Sequence, residues 1–169
     1  MRKAVVKLAL LALVLAGPVV SASIKAEADE RVKRGEYLAA IMDCTGCHTP
    51  GALRGKPDAA RALAGSDVGF EIPGLGIFYP PNLTPDRATG LGAWSAAEIV
   101  TAIRTGARPD GRQLVPVMPY HSYAKLTDAD AAALVAYLKS LKPIHNQAPA
   151  ITGPGQKAPA PYLKVVIPE

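Results

Sequence analysis

Cysteine is nearly absent: the 169 residues contain two, and they stand two apart at Cys44 and Cys47. Two thiols cannot make a disulfide framework, and closing a loop this short constrains little of the unfolded chain, so a purely structural bond is disfavoured. A second long apolar run is also missing. The single such run, Leu8 to Val20, is about 13 residues where roughly 20 are needed to span a bilayer as a helix. There is no internal repeat, which excludes a stacked-repeat architecture. Basic residues form no stripe, which argues against nucleic acid as a partner.

What the amino terminus does contain is Arg2, Lys3 and Lys7, then the apolar run, then the small residues VVSAS. This order reads as a secretory signal peptide covering residues 1–22, cut near Ala22, with the remainder exported to the periplasm. Cleavage would take three of the 19 basic residues with it and leave bases and acids nearly balanced. The length that remains suits one domain. Export also places the cysteine pair in an oxidising compartment, where a chemical role is favoured over an idle one.

Three stretches have helical periodicity. The first runs from about Asp29 to Asp43, with Val32, Gly35, Leu38, Ile41 and Met42 on one face, and ends just before the cysteines. The second begins at Ser95, with Glu98 placed to complete a capping box, and stops at Gly106. The third is capped by Thr127, has Asp128 and Asp130 in its first turn, places Leu134, Val135, Leu138 and Leu141 on one face, and ends before Pro143. The first and third are expected to cross, with Gly35 allowing close approach. Between the first two lie about 50 residues rich in Gly and Pro, with only short strand-like pieces. So long an irregular connection suggests that it wraps something. Three helices of this length bury little alone, so a large apolar guest is expected at the centre. After Pro143 the chain is proline-rich and expected to be extended, either packed across the surface of the domain or of a partner or acting as a disordered linker.

The guest is suggested by Cys44-Thr-Gly-Cys47-His48. Two thiols at this spacing can add to the two vinyl groups of haem while the adjacent imidazole binds iron from one side. Gly46 would ease the sharp turn. Two rivals use the same residues. A redox dithiol would need the motif to open a helix after a strand, whereas here it follows a helix. A zinc site from Cys44, Cys47, His121 and His145 lacks the close second pair of ligands usual in small zinc modules.

A second axial ligand has to come from elsewhere. Beyond the signal peptide only Met42 and Met118 remain as methionines. Met42 precedes the anchor on the same helix, so Met118, in a loop between Pro116 and Pro119, is the candidate, with His121 as its competitor. Iron held by His48 and Met118 has no free position for substrate, which leaves one-electron transfer; a displaced Met118 would instead give a haem enzyme or ligand sensor. Trp94, Tyr79, Tyr120 and Tyr123 are candidates for the cavity wall, and Arg104, Arg108 and Arg112 for pairing with the two propionates.

The segments CTGCH, YPPNLTPDRATGLGAWS, TAIRTGARPDGR and MPYHSYAKLTDADAAALVAYLKSL together resemble the class I c-type cytochromes. They are most similar to the cytochrome c subunits of bacterial alcohol, aldehyde and sugar-acid dehydrogenases. The resemblance runs from about Arg34 to Leu141. It implies an all-α cytochrome c fold: three or more helices around one covalent haem c, with long loops and an extended tail. It also implies Cys44 and Cys47 as attachment points and His48 and Met118 as iron ligands. The expected division is residues 23–143 as the cytochrome c domain and 144–169 as a Pro/Gly-rich extension. The expected role is an electron carrier between a dehydrogenase donor and an oxidase or another cytochrome.

Overall fold

The computed structural model describes residues 24–168; the signal-peptide expectation lies outside them. Helix α1 occupies residues 24–41. It is followed by α2 (Cys44–His48), two short 3-10 turns (Ala52–Arg54 and Ala59–Arg61), and strands β1 (Gly69–Ile72) and β2 (Gly76–Phe78). Next come α3 (Ala96–Thr105), α4 (Tyr120–Tyr123), α5 (Asp128–Ser140) and a two-residue strand β3 (Tyr162–Leu163). The all-α expectation is therefore met in its helices and corrected by a small sheet. Its order is β2-β1-β3, with β1 antiparallel to β2 and parallel to β3. Among the described residues no helix is long and apolar enough to cross a membrane.

The local signals act as their chemistry requires. Ser95 and Glu98 form a reciprocal capping box at the start of α3, and Gly106 closes that helix in a left-handed conformation. The Thr127 side chain accepts from the Asp130 amide at the start of α5. Helix α1 stops earlier than its periodicity suggests, because Asp43 turns left-handed with φ 54°. Met42 and Asp43 form a turn, and the chain re-enters a helix at Cys44. Ile41, the last residue of α1, is exposed.

The core is the crossing of α1, α3 and α5. Leu38 and Ala39 meet Ile99 and Ile103 of α3 and Ala133, Leu134, Val135 and Leu138 of α5, with Leu63 and Cys44 in the same cluster. Each large aliphatic side chain buried here contributes about 1.5–3 kcal/mol. The α1–α5 crossing depends on Gly35: a Cβ at that position would collide with the Ala133 carbonyl oxygen and the Tyr137 Cβ. The close approach anticipated for this glycine is present.

The carboxy-terminal tail packs across the domain. The Asn82 amide donates to the Ile144 carbonyl at 2.7 Å, and the Asn146 side chain donates to the Ala64 carbonyl at 2.7 Å. Further on, Thr152 and Ile77 exchange backbone bonds of 2.8 and 3.0 Å, and Tyr79 donates to the Ala160 carbonyl at 2.8 Å.

Candidate functional site

A cavity of about 700 Å³ opens between the helical core and the wrapping segments. This lies within the roughly 300–1,000 Å³ of pockets that hold cofactors and small molecules. Cys44, Cys47, His48 and Met118 all line it. Leu134, Leu138, Ile99 and Ile103 supply its apolar floor from α5 and α3, and Phe70, Phe78 and Tyr79 come from the hairpin. Residues 70 positions apart in sequence thus converge on one space.

His48 is the best fixed of the four. It is 6% exposed, and its Nδ1 lies 2.8 Å from the Pro81 carbonyl oxygen. A carbonyl can only accept, so Nδ1 carries the proton and donates. The other nitrogen, Nε2, has no hydrogen bond among the described residues, and its lone pair is available to a metal, the usual arrangement for a ligating histidine. Burial lowers the imidazole pKa, partly opposed by the Pro81 carbonyl, and favours the neutral form that ligates.

The thiols sit in α2, and both are free. Burial pushes Cys44 up to about 11 and raises Cys47 as well. A redox dithiol needs the opposite shift, toward the thiolate, so this environment disfavours that rival. Nor do the described residues contain any group of three or more His, Cys, Asp or Glu able to hold a metal ion, which removes the zinc arrangement. Gly46 serves differently from the turn expected of it: it is helical, and its missing Cβ leaves room for the Asp43 carboxylate.

Met118 sits on a tight turn in which its own amide donates to the Val115 carbonyl at 3.0 Å and the Tyr120 amide donates to the Met118 carbonyl at 2.8 Å. Met42 also lines the cavity, whereas His121 does not. His121 lies instead against the neighbouring Tyr120 ring, tilted by 41° with centroids 4.2 Å apart. Tyr123 spans the site: its hydroxyl donates to the Met42 carbonyl at 2.9 Å, tying the segment after Met118 to the end of α1.

Of the aromatic candidates, Trp94, Tyr79 and Tyr123 line the cavity and Tyr120 does not. Of the arginines, Arg108 and Arg112 line it, and the Arg108 guanidinium lies 4.9 Å from the Trp94 ring centroid. Burial, and then repulsion by Arg108, lower the Arg112 pKa despite the nearby Asp110 carboxylate. The local excess of positive charge suits carboxylates. Arg104 is directed elsewhere, to Asp128 and the Leu126 carbonyl. Sequence reasoning missed Arg87, the Pro81 carbonyl and residues 147–151, all at or next to the cavity. Arg87 lies within the quoted NLTPDR run and was legible there; a backbone carbonyl leaves no mark in a sequence.

Comparison with known proteins agrees with the geometry. The family described as Cytochrome c matches residues 32–142. The chain is 40% identical over 133 residues to the cytochrome c subunit of a quinone alcohol dehydrogenase from Gluconobacter oxydans, covering 76% of this chain and 26% of that protein. It is 38% identical over 120 residues to the fructose dehydrogenase cytochrome subunit from Gluconobacter japonicus, covering 70% and 23%. It is 39% identical over 121 residues to the gluconate 2-dehydrogenase cytochrome c subunit from Pantoea cypripedii, covering 72% and 24%. The chain therefore spans about a quarter of the length of these relatives.

Proposed function

Because this chain belongs to the cytochrome c family, whose members hold haem c covalently, we propose that it carries one haem and passes single electrons from a dehydrogenase to a respiratory acceptor. In this reading Cys44 and Cys47 hold the ring by thioether bonds, and His48 and Met118 ligate the iron. The observation that supports it most is the convergence of these four side chains on one largely apolar cavity. When bound, haem supplies a one-electron couple.

The chain's own residues do the rest. The Pro81 carbonyl holds His48 in the tautomer that leaves Nε2 free. The apolar lining excludes water, which favours the less charged, reduced state. Arg87, Arg108 and Arg112 gather positive charge where the cofactor's carboxylates can be neutralised. With both iron faces taken by protein ligands, no position remains for substrate, and the role is that of a carrier rather than an enzyme.

A dehydrogenase donor is supported by the names of the relatives, which are cytochrome subunits of alcohol, fructose and gluconate dehydrogenases. The basic, apolar and small-residue order of residues 1–22 supports a periplasmic location for the carrier. The attachment is tested by acid-acetone extraction. The wild type should keep its colour in the protein fraction, and Cys44→Ala with Cys47→Ala should release it. Colour that extracts freely from the wild type would overturn the thioether assignment.

A further inference from the structure

The tail after α5 lies mostly outside the family match, which ends at residue 142, yet residues 147–151 all line the cavity. Its path is fixed at both ends. On one side Asn82 and Thr84, 1% and 0% exposed, direct their polar atoms at it. Asn82 donates to the Ile144 carbonyl, and the Ile144 amide donates to the Thr84 hydroxyl at 3.1 Å. The Asn146 amide donates to the Thr89 hydroxyl at 3.2 Å. On the other side Thr152 is paired with Ile77, and Gly76 must lack a side chain because a Cβ would strike the Thr152 carbonyl oxygen.

Between these clamps the chain has no regular structure, and Pro149 has no amide to donate. Ile151 is 44% exposed while lining the cavity. An exposed aliphatic side chain on a cavity wall gains little until something apolar covers it.

We infer that residues 147–151 are a built wall of the cofactor site, clamped by the buried Asn82–Thr84 pair and by Ile77, which shields the haem from water. The inference rests on the cavity holding haem, as proposed above. It also gives the NLT run a purpose, since two fully buried polar side chains are directed at a segment outside the helical core.

The test compares two substitutions of equal charge in the full-length holo-protein: Ile151→Glu on the wall, and Ile167→Glu, 85% exposed and beyond β3. The ratio of oxidised to reduced protein is read at a fixed applied potential. A carboxylate on the wall stabilises the oxidised state, so Ile151→Glu should raise the ratio at least threefold and Ile167→Glu should leave it unchanged. If Ile151→Glu does not accumulate, uncharged Ile151→Gln should move the ratio in the same direction by admitting water. Covalent haem with equal ratios in the wall variant and Ile167→Glu would overturn the wall. Failure of the wild type to hold haem covalently would sink the cofactor reading and the wall with it.

Discussion

The two sides of the cavity are built differently. His48 arrives on a helix, is 6% exposed, and has one ring nitrogen bonded to a backbone carbonyl. Met118 arrives on a proline-flanked turn, next to an exposed Val117, and its immediate restraints are two backbone hydrogen bonds. One proposed ligand is set by the core, the other by a loop. If His48 and Met118 bind the iron as proposed, a change in the core should cost stability with both side chains in place, whereas a change near Met118 should alter the iron's surroundings at small cost to the fold.

The largest effect on stability is expected at Gly35. Gly35→Ala forces a methyl group against the Ala133 carbonyl, a backbone contact that cannot rotate away. It should cost about 1–3 kcal/mol and lower the thermal midpoint by about 2–4 °C for each kcal/mol. An unchanged midpoint would mean that α1 and α5 do not cross as described.

A smaller effect is expected where the two sides are joined. Tyr123→Phe removes the hydroxyl that donates to the Met42 carbonyl, a loss of about 0.5–1.5 kcal/mol. If this bond links the two sides, the spectrum of the oxidised protein should respond more than the midpoint does. A change in the midpoint alone would show that Tyr123 only packs.

The smallest effect is an acid-side one, on the wrapping segment. Bonds from the Thr89 hydroxyl and amide hold the Asp86 carboxyl below the usual carboxylate range. Its folded pKa is depressed. Its contribution is therefore fully present above the ordinary value of about 3.9 and is lost as pH falls through the lower folded value. Asp86→Asn should flatten the dependence of stability on pH in that acid range, with its small loss of stability seen at neutral pH, where the carboxylate contributes fully, and vanishing at the acid end, as acid titration of the unfolding midpoint would show.

The helical half was largely legible in the sequence because its signals are local. Ser95 with Glu98, Thr127 with its following acids, and Gly35 at a crossing each act within a turn or through one contact. CTGCH and Met118 are likewise short patterns. The rest depends on long-range placement. Spacing along α3 and its following loop could not separate Arg104, which goes to Asp128, from Arg108, which reaches the cavity. Periodicity placed Ile41 on the buried face, whereas the buried positions of α1 are Gly35, Leu38 and Ala39 and Ile41 is exposed at its end. The wall formed by residues 147–151 depends on bonds spanning about 60 positions, which no local pattern encodes.

The central claim is that Met118 binds the iron opposite His48. It is tested most directly by the weak long-wavelength absorption band that sulfur gives when bound to ferric haem iron, measured in the oxidised wild type and in Met118→Ala. The band should be present in the wild type and absent in the variant, which should keep its covalent haem and show a lower potential. A wild type without the band, or a variant that retains it at unchanged potential, would contradict the assignment.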